Sequence, residues 1–117
     1  MRGMNKVFLL GNVGGDPQAG ISKSGKPFSN FSVATNEMRK NTKNQFEEVA
    51  QWHKVSFYGT LAELANKYIK KGSKVLIEGK IDYQKKSKGP EVASVTYTNI
   101  YGSGITLLDR PKELDVE

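Results

Sequence analysis

The sequence predicts an all-β chain interrupted by one helix, and three observations carry that expectation. Short segments of apolar and alternating residues recur along the chain, separated by clusters of Gly, Asn, Asp, Ser and Pro. One stretch alone, beginning at Thr60, changes to helical spacing. At 117 residues the chain suits one domain and not comfortably two, so these elements must share a single core.

The first strand is Lys6-Val7-Phe8-Leu9-Leu10, stopped by the turn formers Gly11-Asn12-Val13-Gly14-Gly15-Asp16-Pro17. After a second turn signal, Ser24-Gly25-Lys26-Pro27, the segment Phe28 to Thr35 sets Phe31, Val33 and Thr35 on one side of a strand. Residues Asn36 to Ala50 are polar and charged and fit a long mobile loop; Gln51 to Tyr58 is a strand again. Leu61, Leu64, Ala65, Tyr68 and Ile69 then mark one apolar helical face. Thr60 and Glu63 stand three apart, as in a capping box, while Lys67, Lys70 and Lys71 suit the negative helix end and Gly72 a left-handed stop. The fourth strand runs from Lys74 through Gly79, where a bulge is expected, to Ile81 and Tyr83. A basic loop, Lys85 to Pro90, leads to the last strand region, Val92 to Tyr101, which breaks at Gly102-Ser103-Gly104 and resumes to Leu108. Three strands, a helix and two strands is the arrangement of the OB-fold, a five-stranded Greek-key barrel with its helix between strands 3 and 4. The expected domain is residues 1–110, followed by a short acidic tail, 111–117.

Composition narrows the function. Hydrophobic residues at 37% argue against disorder, and no apolar run approaches the roughly 18 residues of a membrane helix. Val7-Phe8-Leu9-Leu10 is too short for a signal-peptide core. The absence of Cys excludes disulfides, thiol catalysis and Cys-based zinc sites, and the single His leaves no His-cluster metal site. No cofactor or metal is therefore expected, and the expected setting is intracellular. The 18 Lys and Arg outweigh 12 acids, for a net charge of +6, and three of those acids fall in the last five residues. A body this basic suits a polyanion, most commonly nucleic acid.

Apparent catalytic motifs fail on context. Gly20 to Lys26 fits seven positions of a phosphate-binding P-loop, but Pro27 replaces the required Ser or Thr and a strand follows instead of a helix; a hairpin turn is expected. Gly102-Ser103-Gly104 lacks the later glycine and helix of a dinucleotide fingerprint. Glu47 and Glu48 lack apolar shielding to separate their acidities, and His53 has no nucleophile beside it. No enzyme is expected.

The segment Gln51 to Gly59 is more informative. Alternation sends Trp52, Lys54, Ser56 and Tyr58 to one face and His53, Val55 and Phe57 to the other, which suits a core. Trp52 and Tyr58 stand roughly 20 Å apart with Lys54 between them. Flat rings and a cation on one face suit unstacked bases and the phosphates joining them, hence single strands. The same aromatics would also suit packing under a loop or in an oligomer contact. Flanking cations, Arg39, Lys40 and Lys43 in one loop and Lys85, Lys86 and Lys88 in the other, favour the nucleic-acid reading.

Met4-Asn5-Lys6-Val7, Gly11 to Pro17, Ala34-Thr35-Asn36-Glu37, Trp52-His53-Lys54-Val55, Tyr58 to Glu63, Tyr68 to Ser73 and Val75 to Gly79 resemble, in order and spacing, the bacterial single-stranded DNA-binding protein family. The resemblance covers roughly residues 2 to 108. It implies a homotetrameric OB-fold that wraps single-stranded DNA without sequence preference and protects it in replication, recombination and repair, in the cytoplasm on the nucleoid. Trp52 and Tyr58 match the family's stacking aromatics, and Lys6, Lys54, Lys70, Lys71 and Lys85 its basic contacts. Arg2 and Lys80 join them as expected phosphate contacts, and His53 matches a residue near the family's subunit interface. Two stacking tryptophans of the family are replaced, by Met38 and by Lys86; Met38 and Tyr83 are the expected substitutes, with a larger electrostatic share of affinity. The acidic, Phe-ended tip of the family, which recruits repair enzymes, has no counterpart in Glu113-Leu114-Asp115-Val116-Glu117. A primosome-type OB protein that bridges replication partners and an RNA-binding OB module are the alternatives.

Overall fold

The computed structural model describes residues 1–87, 89–90 and 93–109; Lys88 and the expected acidic tail lie outside the described residues. Six strands and one helix follow in the order β1 (Val7–Val13), β2 (Gln18–Ile21), β3 (Pro27–Lys40), β4 (Phe46–Tyr58), α1 (Thr60–Tyr68), β5 (Lys74–Lys86) and β6 (Val95–Leu107). Neighbours in the sheet run β1-β5-β6-β4-β3-β2. A further antiparallel pairing, Asn12↔Ala34 and Val13↔Val33, joins β1 to β3 and closes a five-stranded barrel. The one parallel contact, Val55↔Ile100 and Ser56↔Tyr101, joins β4 to β6. The expected OB-fold is therefore present, with the short β2 added outside the closure as a hairpin on β3.

Alternation builds the interior. Leu9 and Val13 of β1, Phe31 and Val33 of β3, Val55 and Phe57 of β4, Val75 and Ile77 of β5 and Ile100 of β6 all point inward and are buried. The Phe31 and Phe57 rings stack with centroids 5.9 Å apart. Helix α1 packs on β3 and β4 and contributes Ala62 and Ala65, with Ile69 buried just beyond its end.

Several sequence expectations need correction. The Asn36–Ala50 segment is not a loop: β3 and β4 continue as one hairpin from Phe28↔Tyr58 out to Lys40↔Phe46. Its turn is made by Asn41, whose Oδ1 accepts from the Lys43 and Gln45 N–H groups, and by Asn44 in the left-handed region at φ 63°. β5 and β6 likewise extend as a second arm, to Lys86↔Val95. Gly102-Ser103-Gly104 does not break β6. Glu78 pairs with Gly104 and Gly79 with Gly102, so Ser103 is the extra residue of a bulge beside the expected position at Gly79. The capping box is absent: Gly59, at φ 73°, holds the N-cap position without any side-chain cap, and its carbonyl accepts from the Glu63 N–H. The helix buries Ala62 and Ala65, with Ile69 buried at its C-cap, whereas Leu64 and Tyr68 are exposed. Gly72 is left-handed at φ 90° but lies in the turn that follows the helix, where the Ser73 N–H bonds the Lys70 carbonyl. The P-loop look-alike is the expected hairpin turn: Ser22 N–H donates to the Lys26 carbonyl at 2.7 Å and Gly25 N–H to the Ser22 carbonyl at 2.9 Å.

Candidate nucleic-acid interface

Strand β4 separates two environments, as alternation requires. Val55 and Phe57 face the core, and half-buried His53 places Nε2 2.8 Å from the Thr35 hydroxyl on β3. On the outer face Trp52 is 61% exposed, Lys54 is exposed, and Tyr58 is 38% exposed. Ser56, between them, is buried because β6 lies alongside, and its hydroxyl accepts from Asn99 Nδ2 at 3.0 Å.

Because β4 and β6 pair at only two positions and then diverge, the outer face opens into a groove of about 710 Å³. Lys54 and Tyr58 line one wall, Lys86 and Tyr97 the other, and Asn30, Ser56 and Asn99 lie between. A second groove of about 430 Å³, lined by Gly14, Asp16 and Trp52, shares Gln18, Asn30, Phe31 and Ser32 with the first. The two form one continuous path across the face. Asn30 Oδ1 is buried there without a hydrogen-bond partner among the described residues.

The register sorts the remaining candidates. Met38 and Lys40 lie on the Trp52 side of the β3–β4 arm, with Lys40 Nζ 5.7 Å from the Phe46 ring centroid. Lys80 and Lys86 lie on the matching side of β5; Lys80 Nζ is 5.4 Å from the Tyr101 ring and Lys86 Nζ 5.6 Å from the Tyr97 ring. Lys43 sits in the arm's turn. Lys70 and Lys71 follow the helix, and the Lys71 N–H donates to Asp16 Oδ1, which holds this turn against the rim of the Trp52 groove. Other candidates are not brought to the groove. Tyr83 and Lys85 alternate to the opposite face of their arm from Lys80 and Lys86, and Arg39 does so on the other arm, where it pairs with Glu37 at 3.1 Å. Lys6 pairs with Glu78 and overlies the Phe8 ring, two strands away from β4 in the barrel order. Arg2 is exposed ahead of β1.

Sequence reading missed three aromatics on the Trp52 side. Phe46 is exposed on the arm that polarity disguised as a loop. Tyr101 stacks against Tyr58 with centroids 5.4 Å apart, and Tyr97 stands two alternations before it. Alternation along Tyr97-Thr98-Asn99-Ile100-Tyr101 was the available signal, with buried Ile100 fixing which side faces inward. Among the described residues no group of His, Asp or Glu is placed to hold a metal ion, and no helix is long and apolar enough to cross a membrane.

Comparison with known proteins agrees with this geometry. The model of the single-strand binding protein family matches residues 4–108. A single-stranded DNA-binding protein of Xanthomonas campestris pv. campestris is 43% identical over 84 residues, which are 72% of this chain and 49% of the relative. One from Xylella fastidiosa is also 43% identical, over 72% of this chain and 51% of its own length. The chain thus spans about half the length of the curated relatives it matches. Among solved structures, a Plasmodium falciparum single-strand binding protein in complex with ssDNA superposes with a TM-score of 0.83 at 28% identity, covering 93% of this chain and 98% of that one. A deletion mutant of the Thermus aquaticus single-stranded DNA-binding protein gives 0.77 at 26% identity, over 92% of this chain and 52% of that one.

Proposed function

The chain belongs to the single-strand binding protein family, and we propose that it binds single-stranded DNA without sequence preference, coating and protecting exposed strands during replication, recombination and repair in the cytoplasm. The observation that carries this reading is the pair of adjoining grooves on one face, one lined by Trp52 and the other by Lys54 and Tyr58. Open π-faces receive unpaired bases of any identity, and the ammonium groups along the path neutralise the connecting phosphates. In duplex DNA those base faces are already occupied by neighbouring bases, so the equipment selects single strands. The reading requires no bond-making chemistry and no cofactor.

The same reading includes a homotetramer. Phe8, Leu10 and Leu76 form an exposed apolar patch on the outer side of β1 and β5, away from the groove, and a surface of that kind suits contact between subunits. His53 is the other residue assigned to a subunit contact. Replication and repair proteins are the further partners this role implies.

Trp52 is the only tryptophan and so reports on the site directly. Titration with oligo-dT should quench its emission to saturation. With about five cations meeting phosphates, log K should fall against log salt with a slope near −3.5. Light scattering should return the mass of four chains, and an equal-length RNA should compete poorly. Unchanged emission at saturating oligo-dT would remove Trp52 from the site.

A further inference from the structure

We propose that Tyr97 is an additional base-stacking site, on the wall of the groove opposite Lys54 and Tyr58, with Lys86 serving the adjoining phosphate. The proposal rests on the single-stranded DNA reading and extends it to a residue on a different strand.

Four observations converge on it. Tyr97 has the outward parity of Tyr101 on β6, while Ile100 between them fills the core. Tyr97 is 42% exposed and lines the groove together with Lys54 and Tyr58. Lys86 Nζ lies 5.6 Å from the ring centroid, so an aromatic face and a cation are already paired at this point. Finally, β4 and β6 separate beyond Ser56↔Tyr101, which leaves Tyr97 facing the path from across the gap.

Tyr101 serves a different end. One side of its ring is taken by Tyr58, and Lys80 lies 5.4 Å from its centroid. It supports the Tyr58 platform, whereas Tyr97, exposed to a similar degree, has no aromatic neighbour within stacking distance among the described residues. A strand crossing the groove would therefore meet rings on both walls, with Lys54 and Lys86 flanking its backbone.

The test moves the fluorescent reporter. In a Trp52→Phe, Tyr97→Trp chain, oligo-dT should quench the emission of residue 97, with binding followed independently by the anisotropy of a labelled oligo-dT. Tyr97→Leu, which keeps an apolar side chain on the strand, should raise Kd roughly 5- to 150-fold, the factor equivalent to one stacked base. Tyr97→Phe should hold Kd within about twofold, since the ring is retained. Lys86→Gln should flatten the salt slope by about 0.7, and Tyr97→Leu should leave that slope unchanged. Normal anisotropy with unquenched residue 97, or an unaltered Kd in Tyr97→Leu, overturns the proposal and leaves the single-stranded DNA reading intact. No anisotropy change with the unmodified chain would instead bring down the reading on which it rests.

Discussion

Within the barrel, β3 and β4 bury Phe31, Val33, Val55 and Phe57. Continued outward past Thr35 and Gln51, the same two strands bury nothing: no residue from Asn36 to Ala50 is buried, and Met38 and Phe46 stand 65% and 68% exposed. Hydrogen-bond register runs unbroken from one region into the other. The difference shows that a strand is recognisable by alternation only where one of its faces is covered. The arm has water on both faces, so its side chains carry no period, and its conformation is inherited from the barrel and from the turn at Asn41–Gln45.

The largest effect expected from this contrast is in the barrel. Phe57→Ala should lower the unfolding free energy by about 3–5 kcal/mol in urea titration. Gly102→Ala should act in the same direction, because a Cβ there would lie 2.3 Å from the buried Phe57 ring, which has nowhere to move. Comparable losses from Met38→Ala would break the distinction between barrel and arm.

Gly14 sharpens it. A Cβ at Gly14 would lie 2.4 Å from the Trp52 ring, nearly as close as at Gly102, but this ring is exposed and can swing away. Gly14→Ala should therefore cost less stability than Gly102→Ala while weakening oligo-dT binding, bounded by the roughly 1–3 kcal/mol expected for Trp52→Ala. Parallel urea and oligo-dT titrations of the two glycine variants would separate the effects.

The smallest expected effect is at the arm's turn. Asn41→Ala removes the acceptor of the Lys43 and Gln45 N–H groups and should cost about 0.5–1.5 kcal/mol. Hydrogen exchange should show the Met38 and Glu48 amides opening locally, well below the energy needed to expose Val33 and Val55. Uniform protection across both regions would mean that arm and barrel open together.

This contrast also explains what could be read from the sequence. The helix, most of each barrel strand and the outward parity of Trp52, Lys54 and Tyr58 were legible because apolar, buried residues such as Val55 and Phe57 mark the inner face, whereas the end of β1 at residues 11–13, which closes the barrel on β3, reads as a turn in the sequence. The β3–β4 arm was not, because its polarity is that of a loop. The Thr60–Glu63 spacing matched a capping box, but Gly59 takes the N-cap position through backbone freedom alone, which leaves no side-chain signature. Tyr97 and Tyr101 were visible as strand residues; what was missing was the parallel β4–β6 contact that brings them beside β4. A pairing between segments about 45 residues apart is a property of topology, with no local mark in the sequence.

That parallel contact has a consequence for the newborn chain. As the ribosome extrudes it, Trp52 and Tyr58 emerge well before Tyr101, and until β6 arrives Val55 and Phe57 have no lid on that flank. Nascent segments ending before residue 100 would carry the rings without the cleft that β6 completes.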